Sequence, residues 1–207
     1  MSKGYTLYGR AGSGSVAPQL ILEELGIPYE VVWVDQNAAA EPAYRRICPT
    51  GKVPALVLPD GSAIFESAAI CIHLTDAHSG SGLAPAPGTA SHARYLQWML
   101  FLATSLYDAA LRIYYAQRYT AGGDREGVKA AAISEFERHL ALVEQHLPNG
   151  GLLGDAVSAA DLYLFMLAGW HPEGDGAVRE RFPRIGALCA RIAARPVVQR
   201  VMATNAG

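Results

Sequence analysis

The sequence has few charged residues and no excess of positive charge. Charged residues make up 17% of the 207 residues, hydrophobic residues make up 51%, and the formal net charge is −2. Nucleic acids and anionic membranes are bound through clusters of Lys and Arg, so this balance excludes a chain-wide basic surface. We therefore expect small molecules or other proteins as partners, and no nucleic acid.

Cysteine is also scarce, and long apolar runs are absent. The three cysteines are Cys48, Cys71 and Cys189, with no C-x-x-C pair, and the six histidines show no ligand spacing. An odd number of isolated cysteines argues against a disulfide scaffold and against a metal cluster. No apolar leader and no uncharged run of about 18 residues occurs, so we expect no membrane span and a cytoplasmic location.

Strand patterns are confined to the first part of the chain. There the periodicity and turn residues predict strands and helices in the order βαβ-α-ββα, with a hairpin at 59–62. Strands are predicted at 5–8, 29–34, 55–58 and 63–65, and helices at 16–25, 41–47 and 67–77. Beyond a segment rich in Gly, Ser, Pro and Ala, only helical patterns follow, at 91–119, 124–146, 158–170 and 178–194. We therefore predict an α+β domain over 1–79, a linker over 80–90 and an all-α domain over 91–207, in which Ser158 and Asp161 form a capping box.

The segment Gly12–Ala17 fits the dinucleotide fingerprint G-x-G-x-x-A, and Asp35 ends the next predicted strand. A nicotinamide site would need both features within a doubly wound parallel sheet. A hairpin and an antiparallel pair are predicted instead, so we expect no nucleotide cofactor. Asp35 is then a polar residue at the end of a strand.

Two short motifs indicate a site for a peptide-like ligand. Gly51-Lys-Val-Pro-Ala-Leu56 has a proline at the start of a strand, where a cis bond is compatible with the geometry although most X–Pro bonds are trans. A kink there would leave the Val53 backbone free to pair with an extended peptide. In Phe65-Glu-Ser-Ala-Ala-Ile70, Ser67 is predicted to cap a helix whose free amides suit a carboxylate, and Glu66 suits an ammonium group. Together the motifs predict a grip on an amino-acid zwitterion.

The chain resembles the cytosolic glutathione transferase family over essentially its whole length. The resemblance rests on these two motifs, the strand-turn-helix start, the linker and the late S-A-A-D-L segment. The resemblance implies a thioredoxin-like N-terminal domain with a mixed four-stranded sheet, an all-helical C-terminal domain, a homodimer and a role in detoxification. It implies glutathione as the co-substrate. Val53 would pair with its cysteinyl part, Pro54 would be the cis proline, and Glu66 and Ser67 would hold the γ-glutamyl end. Lys52 would reach the glycine end, with Arg45 or Arg46 assisting.

Catalysis would require a hydroxyl that stabilises the glutathione thiolate, and the chain offers three candidates. These are Ser13, Ser15 and Tyr8, in that order of preference, beside the start of the first helix. Ser15 could instead cap that helix, and Tyr8 could be a packed strand residue. Several bacterial relatives have a cysteine where this chain has Gly14, which argues against thiol-transferase activity here.

The resemblance further implies that a hydrophobic electrophile binds against the first helix of the C-terminal domain. Tyr107, Leu111 and Tyr114 share one face of that helix and are the predicted lining. Conjugation, peroxide reduction, isomerisation and dehalogenation all stay open at this point. The alternative function is a non-catalytic glutathione-binding, ligand-binding or protein-interaction member of the same fold.

Overall fold

The computed structural model describes residues 4–148 and 150–206 of the chain. The chain divides into two compact units, one containing the chain up to Pro87 together with the segment from Ala193, and one spanning Gly88–Ile192. The first unit contains the sheet and its helices: β1 (Tyr5–Gly9), α1 (Val16–Glu24), β2 (Tyr29–Trp33), α2 (Gln36–Ala40), α3 (Pro42–Arg45), β3 (Ala55–Val57), β4 (Ala63–Phe65), α4 (Ser67–Ala77) and, from the end of the chain, α11 (Pro196–Asn205).

The sheet has four strands in the order β2-β1-β3-β4. β1 and β2 are parallel, with Tyr5 opposite Tyr29, whereas β3 runs antiparallel to β1 with Ala55 opposite Tyr8. β4 is antiparallel to β3, with Phe65 opposite Ala55. This mixed sheet confirms the predicted fold class and lacks the all-parallel order that a doubly wound dinucleotide fold requires.

The C-terminal segment belongs to the first unit, which differs from the predicted domain over 91–207. α11 packs on α1, where the buried Asn205 side chain donates a hydrogen bond of 2.8 Å to the side-chain oxygen of Gln19. Arg195 also pairs with Glu24 through two hydrogen bonds of 2.6 Å. α11 itself was not predicted, although Pro196 in its first turn is a typical start signal.

The described residues of the second unit have helices as their regular structure. These are α5 (Ala90–Phe101), a π-helical turn (Leu102–Leu106), α6 (Tyr107–Tyr114), a 3₁₀ turn (Ala116–Arg118), α7 (Arg125–His146), α8 (Ala159–Ala168), α9 (Gly174–Arg181) and α10 (Pro183–Ala193). Within the described ranges, no helix is both long enough and apolar enough to cross a bilayer.

Two of the predicted helices are interrupted. The predicted helix over 91–119 contains the π turn, where the Thr104 hydroxyl donates to the Leu100 carbonyl at 2.8 Å and competes with the backbone N–H for that acceptor. The predicted helix over 178–194 breaks at Phe182, which has φ −132° and ψ 71° because Pro183 disfavours helical geometry in the residue before it.

The sequence does not predict the short helix α2. Asp35, predicted as a polar strand end, is the N-cap of α2 and accepts from the Ala38 N–H at 2.7 Å.

The predicted capping box at the start of α8 is confirmed. Asp161 Oδ2 accepts from the N–H and the hydroxyl of Ser158 at 2.7 and 2.6 Å, and its Oδ1 accepts from the Leu152 N–H at 2.7 Å. Burial raises the pKa of Asp161, and these hydrogen bonds oppose that rise. One buried carboxylate therefore connects the start of α8 to the preceding loop.

We expect Asp161→Ala to lower the free energy of unfolding by about 2–4 kcal/mol, because it leaves several buried donors without an acceptor. Asp124→Ala is the matched control: Asp124 caps α7 at an exposed position, accepting from the Gly127 N–H at 2.7 Å. Its loss should cost about 1 kcal/mol. Urea unfolding of both variants measures the difference, and equal costs would show that the buried network adds nothing beyond an ordinary cap.

Candidate functional site

The ends of all four strands meet at one edge of the sheet. Because β2 is parallel to β1, while β3 runs opposite to β1 and β4 opposite to β3, the carboxyl ends of β1, β2 and β4 lie beside the amino end of β3. This arrangement brings together three segments that the sequence singled out: the loop after β1, the residues before β3 and the turn after β4. The predicted glutathione-binding and thiol-activating residues are all found at this edge.

The Val53–Pro54 peptide bond is cis, as the resemblance implied. Within residues 4–148 and 150–206, no protein group forms a hydrogen bond with the N–H or C=O of Val53. An extended ligand could therefore pair with both groups in the manner of an added strand. Lys52, immediately before it, has an exposed side chain.

Tyr44, which the sequence reasoning missed, holds this segment in position. Its hydroxyl donates to the carbonyl of Lys52 at 2.6 Å, and burial raises the pKa of Tyr44, so the donor proton is retained. The ring of Tyr8 packs against the ring of Tyr44 with centroids 5.6 Å apart. Tyr44 also belongs to a buried apolar cluster together with Val34, Ala39, Cys48 and Ala55.

The turn after β4 has an unusual backbone. Glu66 has φ 73° and ψ 113°, and among the described residues it is the one non-glycine residue with positive φ. The sequence predicted Ser67 as the cap of α4, but the N-cap is Glu66, without a side-chain cap hydrogen bond, and Ser67 is the buried first helical residue. Strained backbone of this kind is concentrated at ligand-binding sites.

The loop between β1 and α1 is organised around the Arg10 carbonyl. It accepts hydrogen bonds from the Ser13 N–H at 3.1 Å, the Ser13 hydroxyl at 2.7 Å and the Ser15 hydroxyl at 3.0 Å. Ser15 Oγ also accepts from the Arg10 N–H at 3.2 Å, and Ser15 is only 1% exposed, whereas Ser13 is half-buried. The Ser15 side chain forms no cap hydrogen bond to α1. Ser15 thus connects the two ends of the loop, and Ser13 is the more accessible of the two hydroxyls.

Two glycines permit this loop. Gly12 has φ 66°, a left-handed conformation that few other residues adopt readily. At Gly9, an added Cβ would lie 2.7 Å from Ser15 Oγ, so a side chain there would displace the serine. The fingerprint glycine Gly12 therefore serves the turn geometry, and Gly9 allows the close approach of Ser15 to β1.

In the second unit, α6 presents the predicted substrate-binding face. The rings of Tyr107 and Trp170 meet edge to face with centroids 5.0 Å apart, and the exposed Tyr114 donates its hydroxyl proton to the Trp170 carbonyl at 2.7 Å. Leu111 is half-buried and lies between Tyr107 and Tyr114 along the helix. Arg112 is ion-paired with Asp108 and, at 2.7 Å, with Glu135, so its charge is compensated within the unit.

A second cluster of titratable groups lies in the same unit. His171 Nε2 is buried 3.4 Å from a carboxylate oxygen of Glu137. A carboxylate oxygen of Glu173 lies within 4.8 Å of a His171 ring nitrogen and of a Glu137 oxygen. The Glu173 N–H donates to His171 Nδ1 at 3.2 Å, which assigns the ring proton to Nε2, facing Glu137. Arg181 pairs with both glutamates. The cluster is therefore an ion-pair network, in which the carboxylates are already engaged by a guanidinium.

The chain matches known proteins throughout its length. Residues 17–77 match the family model described as Glutathione S-transferase, N-terminal domain, and residues 104–196 match the one described as Glutathione S-transferase, C-terminal domain. The Glutathione S-transferase-like protein OpS6 of Beauveria bassiana is 30% identical over 196 residues, covering 90% of this chain and 88% of that protein.

Solved structures give the same result. A sphingomonad glutathione S-transferase complexed with glutathione is 32% identical, with a TM-score of 0.84, and the match covers 97% of this chain and 98% of that chain. A glutathione transferase homologue from sulfitobacter with bound glutathione is 30% identical, with a TM-score of 0.88, and the match covers 99% of each chain.

The mixed sheet with its cis-proline edge, followed by helices, defines a thioredoxin-like domain joined to a helical domain. With these matches, the chain belongs to the glutathione S-transferase family.

The backbone of Glu66 generates a stability prediction. Glycine adopts positive φ without the steric cost that a Cβ imposes, so Glu66→Gly should be more stable than Glu66→Ala by about 1–2 kcal/mol. Both changes remove the same carboxylate, so the pair isolates the backbone contribution. Thermal or urea unfolding measures it, and an alanine variant as stable as the glycine variant would contradict a strained backbone at Glu66.

Proposed function

We propose that the protein is a glutathione transferase that binds glutathione along the sheet edge formed by Val53, Pro54, Glu66 and Ser67. The observation that carries the proposal is that three features meet at this edge: a Val53 backbone with no hydrogen-bond partner among the described residues, the start of α4, and a loop with two hydroxyls. Glutathione is an extended peptide with a zwitterionic end, and the edge offers a matching donor or acceptor for each part. Bound glutathione in two related structures supports the same ligand.

The proposed grip divides the ligand between two elements. The backbone of Val53 pairs with the cysteinyl residue as an added strand would. The first-turn amides of α4 receive the γ-glutamyl carboxylate, because the positive end of a helix favours an anion, and the exposed Glu66 carboxylate receives the ammonium group. Lys52, next to Val53, supplies a nearby positive charge.

The proposed chemistry is attack by the glutathione sulfur on an electrophilic carbon. The carbon–sulfur bond forms as the leaving group departs with its electron pair, and the thiol proton passes to solvent. A free thiol has a pKa of about 8.5, so the protein must favour the thiolate. Lowering that pKa by two units requires about 2.7 kcal/mol, which one hydroxyl donor and the start of α1 can together supply.

We propose Ser13 as the hydroxyl donor. Its side chain is half-buried and can rotate away from the Arg10 carbonyl towards a sulfur anion, whereas Ser15 is enclosed and bonded at both Arg10 backbone groups. Tyr8 is half-buried against Tyr44, which makes it the third candidate.

The electrophile is proposed to be hydrophobic and to bind the α6 face formed by Tyr107, Leu111 and Tyr114. Aromatic and aliphatic side chains at this spacing suit an apolar, planar substrate.

We also propose that the protein is a homodimer located in the cytoplasm, and that its role is the detoxification of such electrophiles. Cys48, Cys71 and Cys189 are free thiols, in keeping with a reducing compartment.

A non-catalytic glutathione-binding protein is the second candidate function. The observation in its favour is that the Ser13 and Ser15 hydroxyls both donate to the Arg10 carbonyl, so neither proton is directed at a ligand. A protein of this kind would bind glutathione without changing the acidity of its thiol.

The bound thiol pKa distinguishes the two functions. In wild-type protein we expect the pKa of the bound thiol to lie about two units below that of free glutathione. The ultraviolet absorbance of the thiolate, measured across pH, gives this pKa. Ser13→Ala should raise it by about one to two units and lower kcat/KM with an activated aryl halide by about 10–100-fold.

Two variants serve as controls for Ser13→Ala. Ser15→Ala should leave the bound pKa nearly unchanged but destabilise the fold by about 1–3 kcal/mol, since it removes the partner of the Arg10 N–H. Tyr8→Phe should change neither quantity by much. Tight glutathione binding with an unshifted thiol pKa in wild-type protein would support the non-catalytic function instead.

The α6 face gives a separate prediction. Leu111→Ala should raise KM for an apolar aryl halide by about 5–30-fold, through about 1–2 kcal/mol of lost apolar contact, while KM for glutathione stays constant. The control is Leu142→Ala, which removes the same atoms from a leucine on α7 that is 41% exposed. Equal effects of the two substitutions on KM for the aryl halide would rule out binding at the α6 face.

A further inference from the structure

The helix that follows the β1–α1 loop is buried through most of its length. Residues 16–22 of α1 are all buried, and Gln19 is the one polar side chain among them. Burial of apolar surface has no preferred direction, so apolar contacts alone fix the position of a helix along its axis less strictly than a directional contact does. Because α1 begins directly after Ser13 and Ser15, its position determines where the proposed thiol-activating groups lie.

α11 runs antiparallel to α1 and forms polar contacts near both of its ends. Before the start of α11, the Arg195 guanidinium pairs with Glu24, the last residue of α1. Near the end of α11, Asn205 Nδ2 donates to Gln19 Oε1 at 2.8 Å, and Gln19 Nε2 donates to the Thr204 hydroxyl at 3.5 Å. The Arg195 side chain is partly exposed, whereas Gln19 and Asn205 are buried. The last turn of α11 therefore holds the first turns of α1 through a buried pair of amides.

The Asn205 amide is not explained by stability alone. Its Nδ2 also donates to the Val201 carbonyl at 2.9 Å, and because both partners of this atom are acceptors, the orientation of the amide is assigned. Asn205 Oδ1 is buried and has no hydrogen-bond partner among the described residues. A buried amide with one unpaired oxygen stabilises a protein less than an apolar side chain of similar shape. A directional contact with Gln19 gives a reason for an amide at this position.

Gln19 connects the amide pair to the β1–α1 loop. Its backbone N–H donates to the Ser15 carbonyl at 3.1 Å, and the Val16 N–H donates to the Ser13 carbonyl at 3.1 Å. The Ser15 hydroxyl in turn donates to the Arg10 carbonyl. Stabilisation of an anion by a hydroxyl and by helix amides requires these groups at hydrogen-bonding distance, and a displacement of about 1 Å is enough to weaken it. A rotation or shift of α1 therefore changes the support that the loop gives to a bound sulfur.

We propose that Asn205 is a positioning residue for thiol activation, which acts through Gln19 to fix the first turns of α1 and the loop that carries Ser13. The inference rests on the proposed glutathione function. It gives the last helix of the chain a part in the reactivity of the site in addition to its packing. Because Asn205 acts through α1, its loss should change the acidity of the bound thiol and leave the proposed contacts at Val53 and Glu66 intact.

Asn205→Leu tests this inference, because it keeps the approximate volume of the side chain and removes its donor. We expect the pKa of the bound glutathione thiol, followed by ultraviolet absorbance, to rise by about half a unit to one unit. With an activated aryl halide, kcat/KM should fall about three- to tenfold at about pH 5.5 and agree with wild type within about twofold at about pH 9, where the thiol is ionised in both proteins. Affinity for S-methylglutathione, which has no ionisable thiol, should change less than about twofold by isothermal titration calorimetry.

Two further variants separate positioning from stability. Glu24→Gln is the matched control, because it weakens the same pair of helices at the other end of α1; it should lower the urea midpoint and leave the thiol pKa within about 0.2 units of wild type. The double variant Gln19→Met with Asn205→Leu places apolar side chains on both helices. Since it leaves neither partner unpaired, it should recover the urea midpoint but retain the raised thiol pKa.

A wild-type thiol pKa in Asn205→Leu would overturn the inference. An equal rise in Glu24→Gln would overturn it as well, because any weakening of the helix pair would then have the same effect. If Asn205→Leu does not fold, the double variant decides: a raised thiol pKa supports the inference, and a wild-type value overturns it. Wild-type protein whose bound thiol is no more acidic than free glutathione overturns the proposed transferase function itself.

Discussion

The antiparallel pairing of β3 with β1 is the constraint on which the site depends. If β3 ran parallel to β1, Pro54 would lie at the opposite edge of the sheet from the β1–α1 loop. The register places Ala55 opposite Tyr8, so the residues before β3 lie next to the end of β1. β3 spans only Ala55–Val57, and the hydrogen bond from Tyr44 to Lys52 adds a further contact just outside the ladder. A short strand thus keeps its register through contacts beyond its own pairing.

Much of this fold could be predicted from the sequence because its signals are local. Alternating apolar residues indicate the strands, and Ser158 with Asp161 indicates the start of α8 within four residues. The missed elements have only weak local signals, Asp35 as the cap of α2 and Pro196 in the first turn of α11. α2 has five residues, so an apolar pattern with a period of about 3.6 residues cannot repeat within it. α11 is held by contacts such as that between Gln19 and Asn205, which are 186 residues apart.

The same distinction applies to the site. Val53, Pro54, Glu66 and Ser67 could be proposed from the sequence because each motif is contiguous, and the structure shows that the hairpin between the motifs brings them together. The position of Arg10 could not be predicted, because nothing in its neighbours along the chain indicates that its side chain lines a cavity and donates to the Val34 carbonyl. The difference between Ser13 and Ser15 is likewise invisible in the sequence, since it arises from which hydroxyl the loop encloses.

Charge then determines what kind of recognition this site can use. The chain has a formal net charge of −2, and glutathione with two carboxylates and one ammonium group is also an anion. The two net charges have the same sign, and charge–charge interactions beyond about 8 Å are screened at physiological ionic strength. The overall charge therefore does not favour binding. Binding must come from contacts at hydrogen-bonding distance, each of which requires a fixed donor or acceptor. The strained Glu66 backbone and the hydrogen bond from Tyr44 to Lys52 are two ways in which the chain fixes backbone groups at this edge.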